Sequence, residues 1–405
     1  MAGAQAFPRQ PQSWTPPAAI LDGIDIFLMQ QASQFVLSGP RYVTTYRVPA
    51  EQGNMAFRAD TYDTAIAAIY LLERKQVALA TNLVDGLYAA MMHDPVGDGR
   101  IVAATWANSL LGQGGDFSTT IFPGAGLSDT GNMCWAAIAM ARAFHYTGRA
   151  HYLHGARTIG DWVVKHTAVA DEWGGFSGGY EEGGAKRPWR SVEHNTDAFA
   201  LFRLLRQVTG EARWEEHMLA AQALVRRCFI DGPDGTAHFC TGTGVGPVLN
   251  EDVIPTDCQT WTALSGIALD VRNACLRYVV ANHQTTSGDF VGMRFSSTGR
   301  EVQNENTAGA ALALGEAGWS EGRALLASLQ DQIRRAPGTD GLGVVATPAA
   351  ECWTGAGLGW SYFNWPHSAA STWTGLALLA AGTGLADNPN PFSELRSQPG
   401  RFGSE

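Results

Sequence analysis

Apolar positions recur at a 3.6-residue period along nearly the whole chain, in runs of 12 to 20 residues. That period predicts helices. The runs are of two kinds, and they alternate. Those over 60–72, 129–146, 193–208, 257–269, 304–317 and 368–381 are Ala-rich, apolar nearly all round, and open on polar or acidic residues. A helix apolar on every side is buried on every side. Those over 19–37, 74–92, 150–167, 212–229, 271–283 and 320–335 carry Arg, Glu, His and Gln on one face. Such helices cover a core on one side and meet water on the other. Six buried helices thus alternate with six covering ones.

The joints repeat too. Phe144-His-Tyr-Thr-Gly148-Arg-Ala-His-Tyr152 matches Arg206-Gln-Val-Thr-Gly210-Glu-Ala-Arg-Trp214. Each ends a buried helix on a Gly at the left-handed cap position and restarts at once, which makes the two helices antiparallel neighbours. At the other end each covering helix runs into a Gly-rich, β-prone stretch. Examples are Asp98-Gly-Arg-Ile-Val-Ala-Ala-Thr-Trp106, Trp173-Gly-Gly-Phe-Ser-Gly-Gly-Tyr180 and Asp340-Gly-Leu-Gly-Val-Val-Ala-Thr347, with related stretches from Asp234 and Ser287. Short turns then lie on one face and long aromatic loops on the other. Repeats of this length mean a closed or stacked array. Six helical hairpins with an inner and an outer ring describe an all-α fold, the (α/α)6 toroid. It is read as one domain over 19–392, with a Pro/Gln-rich arm at 1–18 and a tail at 393–405. Asn388-Pro-Asn-Pro-Phe392 stops the last helix.

Composition narrows the function classes. With 45% apolar and 16% charged residues among 405, the chain is not disordered. It has no apolar stretch of membrane-spanning length. The net charge of −10 and the absence of a basic stripe argue against a nucleic-acid partner. The six cysteines lie far apart, with no zinc spacing, and neither a metal nor a cofactor is expected. Met1-Ala-Gly-Ala-Gln-Ala6 is compatible with a cleavage-site remnant of an exported protein, and the compartment stays open.

Several phrases carry a resemblance. Asp60-Thr-Tyr-Asp63 opens the first inner helix, Ser191-Val-Glu-His-Asn-Thr-Asp197 the third, and Thr256-Asp-Cys-Gln-Thr-Trp261 the fourth. Ser371-Thr-Trp373 and Asn390-Pro-Phe392 mark the end. Together with the layout they resemble bacterial members of the six-hairpin glycosidase superfamily. The resemblance implies the toroid fold and a carbohydrate substrate. That fold hosts hydrolases, lyases, epimerases and non-sugar enzymes, so it does not fix the activity.

In a toroid of this kind the inner-helix N-termini line one mouth of the ring, dipole ends inward. Acids cluster at those starts: Asp60, Asp63, Asp129, Glu193, Asp197, Asp257 and Glu305. Glycoside hydrolysis needs two carboxyl groups, one to protonate the leaving oxygen and one to activate water or attack the sugar. The expected assignment is Glu193 as general acid and Asp63 as base. Asp197, one turn from Glu193, would tune it through like charge, and Asp257 is held in reserve. Against this stands plain capping, which acids and hydroxyls at helix starts do first. Asp60 and Asp129 suit N-caps, and Thr256-Asp-Cys-Gln259 fits a capping box. For Asp197 the competing reading is an ion pair with Arg190 or Arg187.

Expected substrate contacts are Tyr62, Trp106, Trp135, Trp173, Tyr180, Trp189, Arg190, His194, Asn195, Gln259, Trp261, Trp360 and His367, beside Asp60, Asp129 and Glu305. Aromatic faces stack on sugars, and Trp and Tyr tolerate a wet groove. Core filling is the plain alternative for Trp135 and Trp261. The reading is thus a glycoside hydrolase cleaving a glucan-like oligo- or polysaccharide, with inversion the outcome the resemblance implies. Its rivals are a lyase using Tyr62 or His194 with Arg190, an epimerase using His194 and His367, and a non-catalytic sugar binder.

Overall fold

The computed structural model describes residues 18–108, 120–233, 237–383 and 389–396. The arm expected over 1–18 therefore lies almost wholly outside the described residues. Six inner helices are α2 (Thr61–Glu73), α4 (Thr130–Thr147), α6 (Val192–Thr209), α8 (Asp257–Ser265), α10 (Asn304–Glu316) and α12 (Ser368–Thr383). Each packs on the next, and α12 packs back on α2, closing the ring. Around it run α1 (Ala18–Ser33), α3 (Val77–His93), α5 (Ala150–Thr167), α7 (Arg213–Arg227), α9 (Arg272–Asn282) and α11 (Ser320–Arg335). α1 covers α12, so the two ends of the chain complete the sixth hairpin.

The two kinds of run behave as their composition dictates. In α2 every residue from Asp63 to Leu72 is buried, and Ala65, Ala67 and Ala68 let neighbouring helices approach closely. In α11 only a stripe through Leu325, Leu326, Leu329 and Ile333 is apolar and buried. The repeated joints turn on Gly148 (φ 72°) and Gly210 (φ 70°), whose N–H groups bond back to Phe144 O and Arg206 O. A side chain at either would strain the left-handed turn. Expected to run to 269, α8 stops at Ser265, because Gly266 takes the same left-handed conformation (φ 73°).

The β-prone stretches form short antiparallel ribbons on the opposite face. Three of them deliver inner helices directly. Arg58–Asp60 pairs with Ala104–Trp106 and leads into α2. Ser128–Asp129 pairs with Gly179–Tyr180 before α4, and Arg190–Ser191 with Gly242–Thr243 before α6. A side chain in the first turn of the inner helix then grips the stretch beside it. Backbone N–H groups of Ile101, Phe176, Phe239, Met293 and Val344 donate to Met133 Sδ, Asn195 Oδ1, Gln259 Oε1, Thr307 Oγ1 and Ser371 Oγ. Buried donors must find partners, and this device supplies them repeatedly around the ring.

The tail expected from Ser393 begins as packed structure. Arg142, 3% exposed, donates to the carbonyls of Asn390, Pro391 and Ser393. Arg203 donates to Phe392 O, Gln207 exchanges bonds with Leu395, and Asn390 Nδ2 bonds Leu264 O at 2.9 Å. These contacts drive Phe392 into the ring from the short-turn side, against Trp135, Trp261 and Trp373. Among the described residues no helix is long and apolar enough to cross a membrane. All six cysteines are free and buried.

Candidate active site

Trp135, Trp261 and Trp373 stand one turn inside the starts of α4, α8 and α12. Trp261 stacks on Trp373 (5.7 Å, 18°), and Trp135 meets both edge-on at 5.4 and 6.1 Å. With Phe392 beneath, they floor the ring. All three indoles are buried, so the packing reading holds for Trp135 and Trp261. Tyr62 lies on this floor, 5.4 Å from Trp135 and 6.1 Å from Trp261. Its hydroxyl accepts the Trp373 indole N–H at 2.7 Å and donates to Glu305 Oε1 at 2.6 Å.

Above the floor the acids gather. Burial raises Glu193 well above the ordinary carboxyl range, and Asp257, Asp197, Asp129 and Glu305 add to the rise. Burial pushes Glu305 up to about 7, against the Tyr62 hydrogen bond, with Asp257 adding to the rise. Asp257 rises to about 6 through burial, opposed by the Cys258 N–H that its Oδ1 accepts at 2.7 Å. Like charges sense one another only when they share a space. Acids from α4, α6, α8 and α10 therefore face one region. Glu193, Glu305 and Tyr62 are densely surrounded yet only half-buried.

Asp60 and Asp63 form a second group across the ring. Asp60 does not cap α2. Its carboxylate takes two bonds of 2.8 Å from Arg58 and one of 2.5 Å from Thr45, and the Arg58 contact holds it below the ordinary range despite burial. Asp63, 3% exposed, accepts the Ala369 N–H at 2.8 Å and so caps the neighbouring helix α12. Burial, then Asp60 and Glu305, raise it well above the usual range. Its carboxyl is thus enclosed against the backbone of α12, where the expected base would need access to water. His367 Nε2 lies 3.4 Å from Asp63, its Nδ1 accepts the Ala370 N–H at 3.4 Å, and its ring stacks on Tyr46 (4.7 Å). Burial lowers it to about 3, so it is neutral. With both nitrogens engaged, it has none for a substrate.

Asp129 is the N-cap of α4, accepting Asn132 N at 2.8 Å. His194 lies 3.9 Å from it and beside Trp189 (5.4 Å), and burial keeps this ring neutral as well. Asp197 is fully buried with no hydrogen-bond partner for either oxygen; the nearby Trp135 indole only tempers the rise that burial imposes. Neither Arg190 nor Arg187 reaches it.

Several expected sugar contacts turn out to be structural. Arg190 is 1% exposed and spends its guanidinium on Asp171, Gly174 O and Thr243. Asn195 and Gln259 grip Phe176 and Phe239 by both N–H and C=O. The capping box at Thr256 is therefore absent: Gln259 is occupied, and Thr256 Oγ1 bonds His283 and Arg294 O. Tyr180 packs beside Trp162 and Arg100 near the outer ring, and Trp173 packs on the core next to Arg227. Trp106 stays at the rim, paired across the ribbon with Arg58 and packed on Phe122. Trp360 is exposed on the hairpin Glu351–Trp353/Ser361–Phe363.

Sequence reasoning missed Tyr46, Arg58, Thr45 and the contact of Trp373 with Tyr62. Aligning the inner-helix starts reveals Trp373: it lies five residues after Ser368, as Trp135 lies five after Thr130. Nothing in the local sequence points to Thr45 or Tyr46. Among the described residues no cluster of three His, Cys, Asp or Glu is arranged to hold a metal ion.

No family model and no curated protein matches the chain. Solved structures do. A glycosidase in complex with glucose superposes at TM-score 0.62 and 12% identity, over 90% of this chain and 97% of that one. Cellobiose 2-epimerase from Spirochaeta thermophila gives 0.63 and 12%, over 90% and 94%. A family 76 glycoside hydrolase from a bovine Bacteroides thetaiotaomicron strain gives 0.60 and 11%, over 89% and 77%. All are six-hairpin (α/α)6 toroids. At such identities the likeness defines the fold: this chain is an (α/α)6 toroid, as its helical pattern predicts.

Proposed function

We propose that the chain is a glycoside hydrolase acting on a neutral or weakly charged oligo- or polysaccharide, with Glu193 as proton donor and Glu305 as base. One observation carries the reading. Glu193 and Glu305 are half-buried at the starts of α6 and α10, free of any ion pair among the described residues, and each is raised by burial and by neighbouring acids. A carboxyl kept protonated near neutrality can protonate a leaving oxygen. Once one of two such groups loses its proton, repulsion holds the proton on the other, which gives the acid-plus-base state that hydrolysis needs. Inversion is the outcome the family resemblance implies, and it would require the two carboxyl groups to stand ~6.5–9.5 Å apart.

The lyase rival is the less well served. A uronate lyase needs a cation for the substrate carboxylate, and Arg190 is committed to Asp171. Its base would be Tyr62, which already gives its proton to Glu305 and whose pKa burial raises further. The epimerase reading stays open: His194 and His367 both lie beside acids, and burial lowers the pKa of each. Neighbours of the fold include an epimerase as well as hydrolases, so the assay must separate them.

The test is a reducing-end assay over glucans, mannans, xylans and uronate polymers, with Glu193→Gln and Glu305→Gln beside the parent. Either variant is expected to lose on the order of 100-fold or more in kcat. Full activity in both variants, or sugar epimerised without cleavage, sinks the reading.

A further inference from the structure

Large apolar rings at a surface are normally spent on packing. Trp360 and Trp353 are 49% and 47% exposed, at the two ends of one loop. That loop is held firmly. Thr354 bonds Trp360 O through both its N–H (3.1 Å) and its hydroxyl (2.7 Å). Ser296 Oγ donates to Thr354 O at 2.6 Å, and Ala356 N–H donates to Thr298 at 3.1 Å. An exposed indole on a braced loop is preorganised, losing little freedom when something stacks on it.

Trp360 also has a direction. It immediately precedes the strand Ser361–Phe363, which carries Tyr362. Both meet Phe295, at 5.9 and 6.0 Å, and Tyr362 meets the His367 ring at 5.7 Å. Phe295 in turn accepts the N–H of Thr256, the residue before Asp257, at 2.9 Å. Tyr362 lies close enough to Glu305 and Asp63 for their charges to raise it further after burial has done so. A continuous line of rings therefore runs from the rim to the acids.

We propose that Trp360 is an outer sugar platform, so that the substrate is an oligosaccharide chain lying along the Trp360–Phe295–Tyr362 line with one linkage at the acids. The ligand class rests on the hydrolase reading above. Successive sugar faces of a chain can stack on successive rings, which a single sugar cannot do.

The probes are cellohexaose, maltohexaose, mannohexaose and xylohexaose with the corresponding disaccharides. They are titrated calorimetrically into Glu193→Gln and into Glu193→Gln/Trp360→Ala. Adding Trp360→Ala is expected to lower the hexaose-to-disaccharide affinity ratio about tenfold, and Trp360→Phe to recover most of it. In the otherwise wild-type enzyme the loss should fall on KM for the hexaose, with kcat little changed. An unchanged ratio, or no binding of any hexaose, overturns the platform even if polymer is hydrolysed. Trp360-dependent hexaose binding without hydrolysis upholds the platform and rejects the hydrolase reading. Matching melting curves exclude misfolding as the cause.

Discussion

The Tyr62 hydroxyl can donate only one hydrogen bond, and it donates it to Glu305 at 2.6 Å because Trp373 supplies an N–H to the same oxygen at 2.7 Å. Trp373 thus orients the phenol, and the phenol favours the ionised form of Glu305. Removing the phenol hydroxyl removes a contact that holds Glu305 down. In Tyr62→Phe, Glu305 should titrate above its present value of about 7. If Glu305 is the base, activity requires its ionised form, so the acidic limb of kcat/KM moves to higher pH. Trp373→Phe should shift that limb the same way by less. The measurement is the pH profile of kcat/KM; an unmoved limb with lowered activity would mean that Tyr62 only packs.

Buried acids that stay protonated make stability depend on pH. Glu305 titrates at about 7 in the fold against 4.5 ordinarily, and Asp257 at about 6 against 3.8. Between these values the folded state holds a proton that the unfolded chain has lost. Stability contributed by each group therefore falls as pH rises through the window, and the full cost is felt above it. For each group that cost is on the order of 1–3 kcal/mol. Glu305→Gln and Asp257→Asn have no charge to bury, so both should melt higher than the parent at pH 8. Below pH 4 the advantage should vanish. Melting curves at the two pH values check this, and an advantage that persists in acid would exclude the mechanism. Such a gain in stability with lost activity is what a strained catalytic site predicts.

The architecture was legible because each inner helix is apolar all round and each outer one is striped, a pattern that local sequence writes directly. The acids at the helix starts were legible for the same reason. Their division of labour was not. Asp63 and Glu305 occupy comparable first-turn positions, yet Asp63 faces the backbone of α12 while Glu305 faces a phenol. That difference is set by residues 306 and 243 positions away in the chain. Arg190 shows the limit in reverse: an arginine beside Trp189 and Glu193 suits a sugar clamp, and only the loop carrying Asp171 reveals where its charge is spent.

Asn195 was expected at the sugar and is found holding Phe176, donating to its C=O at 2.9 Å and accepting its N–H at 2.8 Å. Asn195→Ala would leave two buried backbone groups unpaired, at roughly 1–3 kcal/mol each. A large fall in melting temperature is expected, with KM and the pH profile of the remaining activity unchanged. The control is Asn195→Asp, which when protonated can still accept the Phe176 N–H and donate to a carbonyl, so it should be less damaging than alanine at low pH and lose that advantage as pH rises. A raised KM with an unaltered melting temperature would restore Asn195 to the substrate.

Phe392 tests whether the floor matters to the chemistry. Its ring touches Trp135, Trp261 and Trp373, which in turn hold Tyr62. Phe392→Ala leaves a void beneath three indoles, at about 3–5 kcal/mol. The surrounding segment remains tied by Arg142 to three carbonyls, so the fold is expected to survive with a lower melting temperature. The void should let Trp373 drop away from Tyr62. The Phe392→Ala enzyme is then expected to show the Tyr62→Phe pH profile, although Phe392 touches no titrating group. Arg142→Met, which removes three of the bonds that hold this segment, should move the profile the same way by less. Loss of stability with a parental pH profile would show the floor to be passive, and would confine the control of Glu305 to Tyr62 and Trp373.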